Sequence, residues 1–271
     1  MKQETPMSTT DNLDYLAACE LADCSPQFAA YAAARNAPSR LVGGDAKDAA
    51  GATAAVVAGG LIAFAEGVSR LSKDDVMDSF LFATLVANKA FNTETEGVQW
   101  YDKFNEVLSR IDWLSTHWNY SRYSAARQRF TMDEVGLEIL GSAIAAAALP
   151  GPASLLMLKV AADAVAALSA KKEPLRLFES QTKAHRGGNF RIASCIESED
   201  GTVNLAMGAV TFQTDSEVTN VLFWEWQDIN VETWKGENNL VLNTRLYARH
   251  RELIQQRLGD SAKSAIDAFE I

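Results

Sequence analysis

Cysteine is scarce in this 271-residue chain, which holds only Cys19, Cys24 and Cys195. An odd count gives no disulfide framework. Three reduced thiols are expected, although Cys19 and Cys24, five apart, can pair where a loop allows it. Histidine is equally scarce. His117, His185 and His250 lie far apart and form no H-E-x-x-H pattern, and no C-x-x-C occurs, so no metal site is expected. The G-x-S-x-G elbow of serine hydrolases is missing. The glycine pairs at 43–44, 59–60 and 187–188 lack the surroundings of a dinucleotide or phosphate loop. Carboxylates are plentiful, but no spacing singles out a catalytic pair. No catalytic residue and no cofactor are therefore expected, and the chain reads as a non-enzyme.

Positive charge is in deficit. Lys and Arg number 25 against 35 Asp and Glu, a net charge of −10. Nucleic-acid binding, which needs clustered cations to displace counterions from phosphates, is not expected. The same deficit disfavours simple adsorption to anionic lipid. Any membrane activity must come from apolar burial or from a local basic strip. The opening residues, Met1 to Thr10, lack a basic segment followed by an apolar one, so no secretory signal is visible. Synthesis in the cytoplasm is expected, with any release by lysis or a non-classical export route.

A chain of this length can bury a core without disulfide staples, and 48% of it is hydrophobic. The patterning predicts an α+β fold. Residues 1–12 read as a disordered tail, 13–186 as a helical bundle, and 187–271 as an antiparallel β-part, a meander or small sandwich, covered by C-terminal helices. Leu13, Leu16 and Leu21 begin a helical pattern. Pro26 can start another helix, and the Ala-rich run Phe28 to Arg35 favours one, before a loop from Pro38 to Gly44. Ala46 to Leu71 is small and apolar and reads as a closely packed helix weakened by Gly59 and Gly60. Ser72-Lys73-Asp74-Asp75 is a helix start. Trp100, Phe104, Val107, Ile111 and Leu114 recur at helical spacing. A polar-aromatic stretch follows, from His117 to Phe130. In the C-terminal part, strands are expected at Phe190 to Ser194, Val203 to Gln213, Asn220 to Gln227, Ile229 to Trp234 and Leu240 to Leu242, with a turn at Lys235 to Asn238. Thr244 then caps a helix stopped by Gly259, and a short helix spans Ser261 to Phe269.

One segment rises above this background. The capping box Thr131-Met132-Asp133-Glu134 launches Val135 to Leu149, whose only charge after the first turn is Glu138. Pro150-Gly151-Pro152 breaks the run, and Ala153 to Leu168 resumes it with only Lys159 and Asp163 charged. Arms of roughly 13 to 16 residues reach about 20 to 24 Å, short of the ~30 Å hydrocarbon layer. The pair can be the buried hairpin of a soluble bundle, or a segment that leaves the core for a bilayer. Its Ala, Gly and Ser content suits close helix packing in either medium. The layout resembles that of α-helical pore-forming toxins, which shield an apolar hairpin in their soluble form. The resemblance rests on layout alone and assigns no family.

Two function classes follow. In the first, the chain is a membrane-active protein, a bacterial pore-forming or insecticidal-type toxin acting as an oligomer. Leu137, Ile139, Leu140, Ile144, Leu149, Pro150, Pro152, Leu155, Leu156 and Leu158 are then the membrane-inserting residues. Its partner is a lipid membrane or a cell-surface receptor, gripped by Trp224, Trp226 and Trp234 and by the basic strip at Arg245 and Arg249. In the second, the chain is a soluble, non-catalytic binding protein and the hairpin is permanent core. Trp224 and Trp226 then belong to the β-core, and the arginines form a solvated face. An enzyme of unrecognised type remains a third class, marked by a pocket of shifted ionisable groups.

Overall fold

The computed structural model of the chain describes residues 9–23, 51–124, 128–147, 149–227, 231–262 and 266–271. The expectations for residues 1–8 of the tail, for the helix after Pro26, for the loop from Pro38 and for the pairing of Cys19 with Cys24 lie wholly or partly outside these residues. Residues 9–12 already belong to helix α1 (Thr9–Ala18).

The fold is mixed α/β around one large mixed sheet. In chain order its strands are β1 (Thr53–Val57), β2 (Gly60–Phe64), β3 (Trp113–Tyr123), β5 (Lys183–Ala184), β6 (Gly187–Glu197), β7 (Val203–Thr214), β9 (Val231–Leu242) and β10 (Ile266–Glu270). The spatial order is β10-β1-β2-β6-β7-β9-β3, with the short β5 paired to β6. β2 and β6 run parallel, and the other pairings are antiparallel. A separate ribbon joins β4 (Arg129–Thr131) to β8 (Glu225–Gln227). Strands from both sides of residue 187 therefore share one sheet.

Both faces of that sheet are covered. Helices α1, α2 (Arg70–Ala90), α3 (Gly97–Arg110) and α8 (Arg251–Ala262, kinked at Gly259), together with Tyr247 of the short α7 (Thr244–Tyr247), bury one face, which presents Val57, Ile62, Phe64, Cys195, Leu205, Met207 and Leu240. Helices α4 (Met132–Ala146), α5 (Gly151–Ala170) and α6 (Lys172–Thr182) bury the other, which presents Val56, Leu61, Phe190, Ile192, Val210 and Phe212.

Double burial explains the main departure from the sequence reading. The expected helix over 46–71 is a β-hairpin across 53–64. Because neither face of β1 or β2 meets water, no polar residue alternates along them. A short, wholly apolar run of this kind cannot be told from a buried helix by periodicity. The glycine pair marks the turn: Ala58 and Gly59 stand at φ 45° and 80°, as a two-residue hairpin loop requires. The polar-aromatic stretch after Leu114 is the edge strand β3, and Leu114 itself is 66% exposed on it. The expected turn at Lys235 to Asn238 is absent, because β9 runs unbroken through it. The third expected strand shrinks to 225–227, and the last short helix is replaced by β10. Helix α2 is capped by Ser69, whose side chain accepts the Ser72 amide at 3.3 Å, three residues ahead of the expected start.

The α2–α8 contact carries an ion pair whose carboxylate is buried. The Asp75 carboxylate, 1% exposed, accepts Arg251 Nε and Nη2 at 2.6 and 2.7 Å. This two-pronged geometry satisfies both groups as they leave water. On the opposite face, helix α4 comes closer to β7 than side chains allow. A Cβ placed on Gly208 would lie 2.7 Å from the Leu140 amide nitrogen and 3.0 Å from the Gly136 carbonyl oxygen. Asn239 of β9 ties the same helix down by donating to the Ala143 carbonyl at 2.7 Å. Gly208→Val is expected to force α4 off the sheet and destabilise the protein by about 1–3 kcal/mol. Urea unfolding checks this, and an unchanged midpoint would refute the close approach.

Candidate membrane-contact hairpin

Helix α4 begins where the sequence placed it. The Glu134 side chain accepts the Thr131 amide at 3.4 Å, closing the capping box. Asp133 and Glu134 stand in its first turn, where the helix dipole favours negative charge. It ends at Ala146, ahead of Pro150. Helix α5 then opens with Pro150 as its N-cap and Pro152 in its first turn, where a missing amide proton costs nothing. It runs 20 residues to Ala170, about 30 Å at the α-helical rise. The sequence estimate for this arm was too short, because Gly151 and Pro152 join the helix instead of separating it from the arm.

The two helices divide the hairpin residues into an inner and an outer set. Ile139, Leu140 and Ile144 are buried against the sheet. Leu137, Leu149 and Leu158 are half-buried, and Leu158 Cδ2 packs toward Gly141 of the facing helix. Pro150, Pro152, Leu155 and Leu156 are exposed, with Leu155 at 70% and Leu156 at 42%. Along α5 the buried stripe is Met157, Val160, Ala161, Ala164, Val165 and Leu168.

The outer face of α5 is the unusual part. A helix lying on a sheet normally turns charged residues to water. Here the outer face is Leu155, Leu156, Ala162, Ala166 and Ala170, interrupted by Lys159 and Asp163. Those two charges neutralise each other, with Lys159 Nζ 2.7 Å from Asp163 Oδ2. The helix is long and apolar enough to cross a bilayer, yet only a third of its most apolar stretch is buried. Between Glu138 and Lys159 the chain carries no charged side chain at all. The exposed residues around the bend of the hairpin, Ala145, Ala146, Pro150, Gly151, Pro152 and Leu155, therefore form an uncharged tip.

The proposed recognition residues do not gather around that tip. Trp224 is 52% exposed, immediately before β8. Trp226 is buried, its ring centroid 5.3 Å from that of Phe212. The two tryptophans therefore do not share a face. The strand expected there is a bend until Glu225, so alternation starts too late to align them. Trp234 is half-buried on β9. The Leu222 carbonyl accepts the amides of Met132 and Asp133, so the tryptophan segment sits at the start of α4. Pro150 lies beyond the far end of this helix, about 20 Å away. Arg245 and Arg249 are exposed around α7. Among the described residues no group of three or more His, Cys, Asp or Glu is placed to hold a metal ion.

The sequence missed the glycine seat at Gly136 and Gly208 and the Asn239 tether. Neither has a local pattern, since each joins segments far apart in the chain. It also missed Arg191, which lies at the floor of a cleft on the far side of β6.

No family model matches this chain, and no curated protein matches it. Among solved structures it is similar to a delta-endotoxin, at 14% identity and a TM-score of 0.39, over 68% of this chain and 79% of that one. It is also similar to the Evf virulence factor, at 9% identity and a TM-score of 0.30, over 75% of this chain and 83% of that one. At these values neither structure defines the fold or the activity of this chain.

The split between faces has a direct consequence for stability. Leu155→Asp with Leu156→Asp should leave unfolding free energy within about 0.5 kcal/mol of wild type, as exposed positions do. Ile144→Ala should cost about 2–5 kcal/mol. Denaturant titration of the two variants checks the assignment, and the reverse ranking would overturn it.

Proposed function

We propose that this chain is a membrane-active, non-catalytic protein of the pore-forming toxin kind, and that the α4–α5 hairpin is the part that meets lipid. The observation that carries this reading is the outer face of α5 together with the uncharged tip, an apolar surface for which water is a poor partner. Leu149, Pro150, Pro152, Leu155 and Leu156 make first contact. Ile139, Leu140, Ile144 and Leu158 follow if the hairpin exchanges the sheet for acyl chains. One hairpin cannot enclose a hole, so leakage requires several copies. Lys159 and Asp163 then face each other, a neighbouring copy or the lumen. Trp224, Arg245 and Arg249 are exposed and supply secondary contacts to headgroups or to a cell-surface receptor. Export proceeds by lysis or a non-classical route.

The test is dye release from liposomes of neutral and anionic lipid, across a range of pH. Wild type should release dye, and the Leu155→Asp, Leu156→Asp variant should lose most of that activity with its fold intact. A wild-type protein that neither binds nor leaks any vesicle would remove this reading.

A second reading is favoured by the glycine seat and by the Asn239–Ala143 bond, both of which hold α4 in place. In it the chain is a soluble binding protein and the hairpin stays on the sheet. Hydrogen exchange separates the two. Under the first reading, vesicles change the protection of residues 137–168. Under the second, those amides stay among the slowest with or without lipid.

A further inference from the structure

Arg191 lies on β6 and is 2% exposed. Its guanidinium sits over the rings of Trp100 and Phe104, 4.9 and 5.2 Å from their centroids. Nη1 donates to Thr84 Oγ1 at 3.1 Å, and Nη2 donates to the Ala58 carbonyl. Nε meets no acceptor among the described residues, and no carboxylate there pairs with the side chain. A buried cation without a counter-charge is costly, and aromatic faces return only part of that cost. Burial draws the Arg191 pKa down to about 10, which still leaves it charged at neutral pH. Asp75 and Arg251 show how this fold treats a buried charge when a protein partner is supplied. Arg191 has no carboxylate beside it among the described residues.

What Arg191 has instead is a cleft. Ala58, Thr84 and Trp100, the groups that hold it, line the floor of an opening of about 840 Å³, and Arg191 lines it with them. This volume suits a small organic ligand. The walls are polar, with Asn88, Gln181, Asn189 and Thr211 among them. The ionisable groups of the lining are Arg122, Lys183, Arg186 and Arg191 against Glu94, Asp215 and Glu232. Arg122 and Glu232 pair at 3.0 Å. The cleft therefore carries one net positive charge, and Arg191 is its most buried cation.

We propose that this cleft binds a small hydrophilic monocarboxylate, with the carboxylate on Arg191 and the polar body against the amide and hydroxyl walls. A single negative charge balances the lining. Nη1 and Nη2 each keep one further N–H beyond the bonds to Thr84 and Ala58, and a planar carboxylate suits such a pair better than a spherical anion. Polar walls exclude a fatty-acid chain, so this site is separate from any lipid contact of the hairpin, and its test does not depend on membrane activity.

The experiment is thermal unfolding and calorimetric titration of the full chain with sodium glycolate and gluconate, against chloride and inorganic phosphate at matched ionic strength. The carboxylates should give a saturable rise in Tm, and chloride none. Arg191→Met should weaken the binding about tenfold or more, as expected for losing a charged hydrogen-bonding partner. If Arg191→Met does not fold, Lys183→Glu with Arg186→Glu, both exposed at the rim, should weaken binding severalfold while leaving the unliganded Tm unchanged. No saturable response at tens of millimolar, equal binding of phosphate, or binding unaltered by these variants would overturn the proposal.

Discussion

The contact between Gly136 and Gly208 is the constraint on which the rest of the structure depends. It lets the backbone of α4 rest on the backbone of β7, and this sets how deep the α4–α5 pair lies on the sheet. At that depth the inner residues of both helices reach Phe190, Ile192 and Val210. The sheet is thereby buried on both faces, which requires largely apolar strands. β1, β2, β6 and β7 are mostly apolar, with the few buried polar side chains, Arg191 and Ser194 among them, as exceptions. The run over β1 and β2, the lack of alternation in β6 and β7, and the apolar hairpin itself all follow from that requirement.

The same requirement decides what was legible in the sequence. Elements with one wet face could be read. α3 shows Trp100, Phe104 and Val107 on one side and polar residues on the other, and α4 announces itself by a capping box. Val203 to Gln213, although buried on both faces, was also legible almost to its true ends, because a Glu199-Asp200-Gly201 turn signal precedes it. β1 and β2 have two dry faces and an Ala-rich sequence, so nothing marked them as strands and 53–64 resembled a helix. β3 failed for the opposite reason. As an edge strand whose side chains are mostly exposed or half-buried, it has too little apolar content to show a period. The hairpin was visible as apolar, but which of its residues face the sheet was not. Every position from 139 to 158 is uncharged, so composition cannot mark a wet side. Arg191 was invisible because a single arginine inside a strand looks like an outward-facing one until both faces are known to be covered.

The two arginine sites complete the contrast. Arg251, half-buried, meets the buried Asp75 between α2 and α8, so its charge is paired within the fold. Arg191 is stacked on aromatic rings and bonded to one hydroxyl and one carbonyl, with an open cleft beside it. The tight β1–β2 turn, which needs the positive φ of Gly59, brings the Ala58 carbonyl to the guanidinium.

Burial on the sheet also limits how the hairpin can act. Ile139, Leu140, Ile144, Met157, Val160, Val165 and Leu168 are seven large apolar side chains buried under α4 and α5. Exposing them to water would cost roughly 10–20 kcal/mol, as much as the whole net stability of an ordinary domain, about 5–15 kcal/mol. The hairpin therefore does not swing free in solution and then search for a membrane. Were it to insert, lipid would have to replace the sheet as the sheet is given up, and the already exposed residues of the bend would enter first. From there α5 is the more movable arm, since α4 carries the glycine seat and the Asn239 tether. Lys159 and Asp163 would cost about 2.5–3.5 kcal/mol each at the bilayer centre if separated. Their i,i+4 spacing keeps them paired in any helical state, so the helix carries its own neutralisation with it. The sheet face left behind, with Phe190, Ile192 and Val210, is as apolar as the helices that covered it, and it too must be covered by lipid or by another copy. Under the proposed membrane role, hairpin insertion and association of chains would be one event, driven by the two faces of a single buried interface.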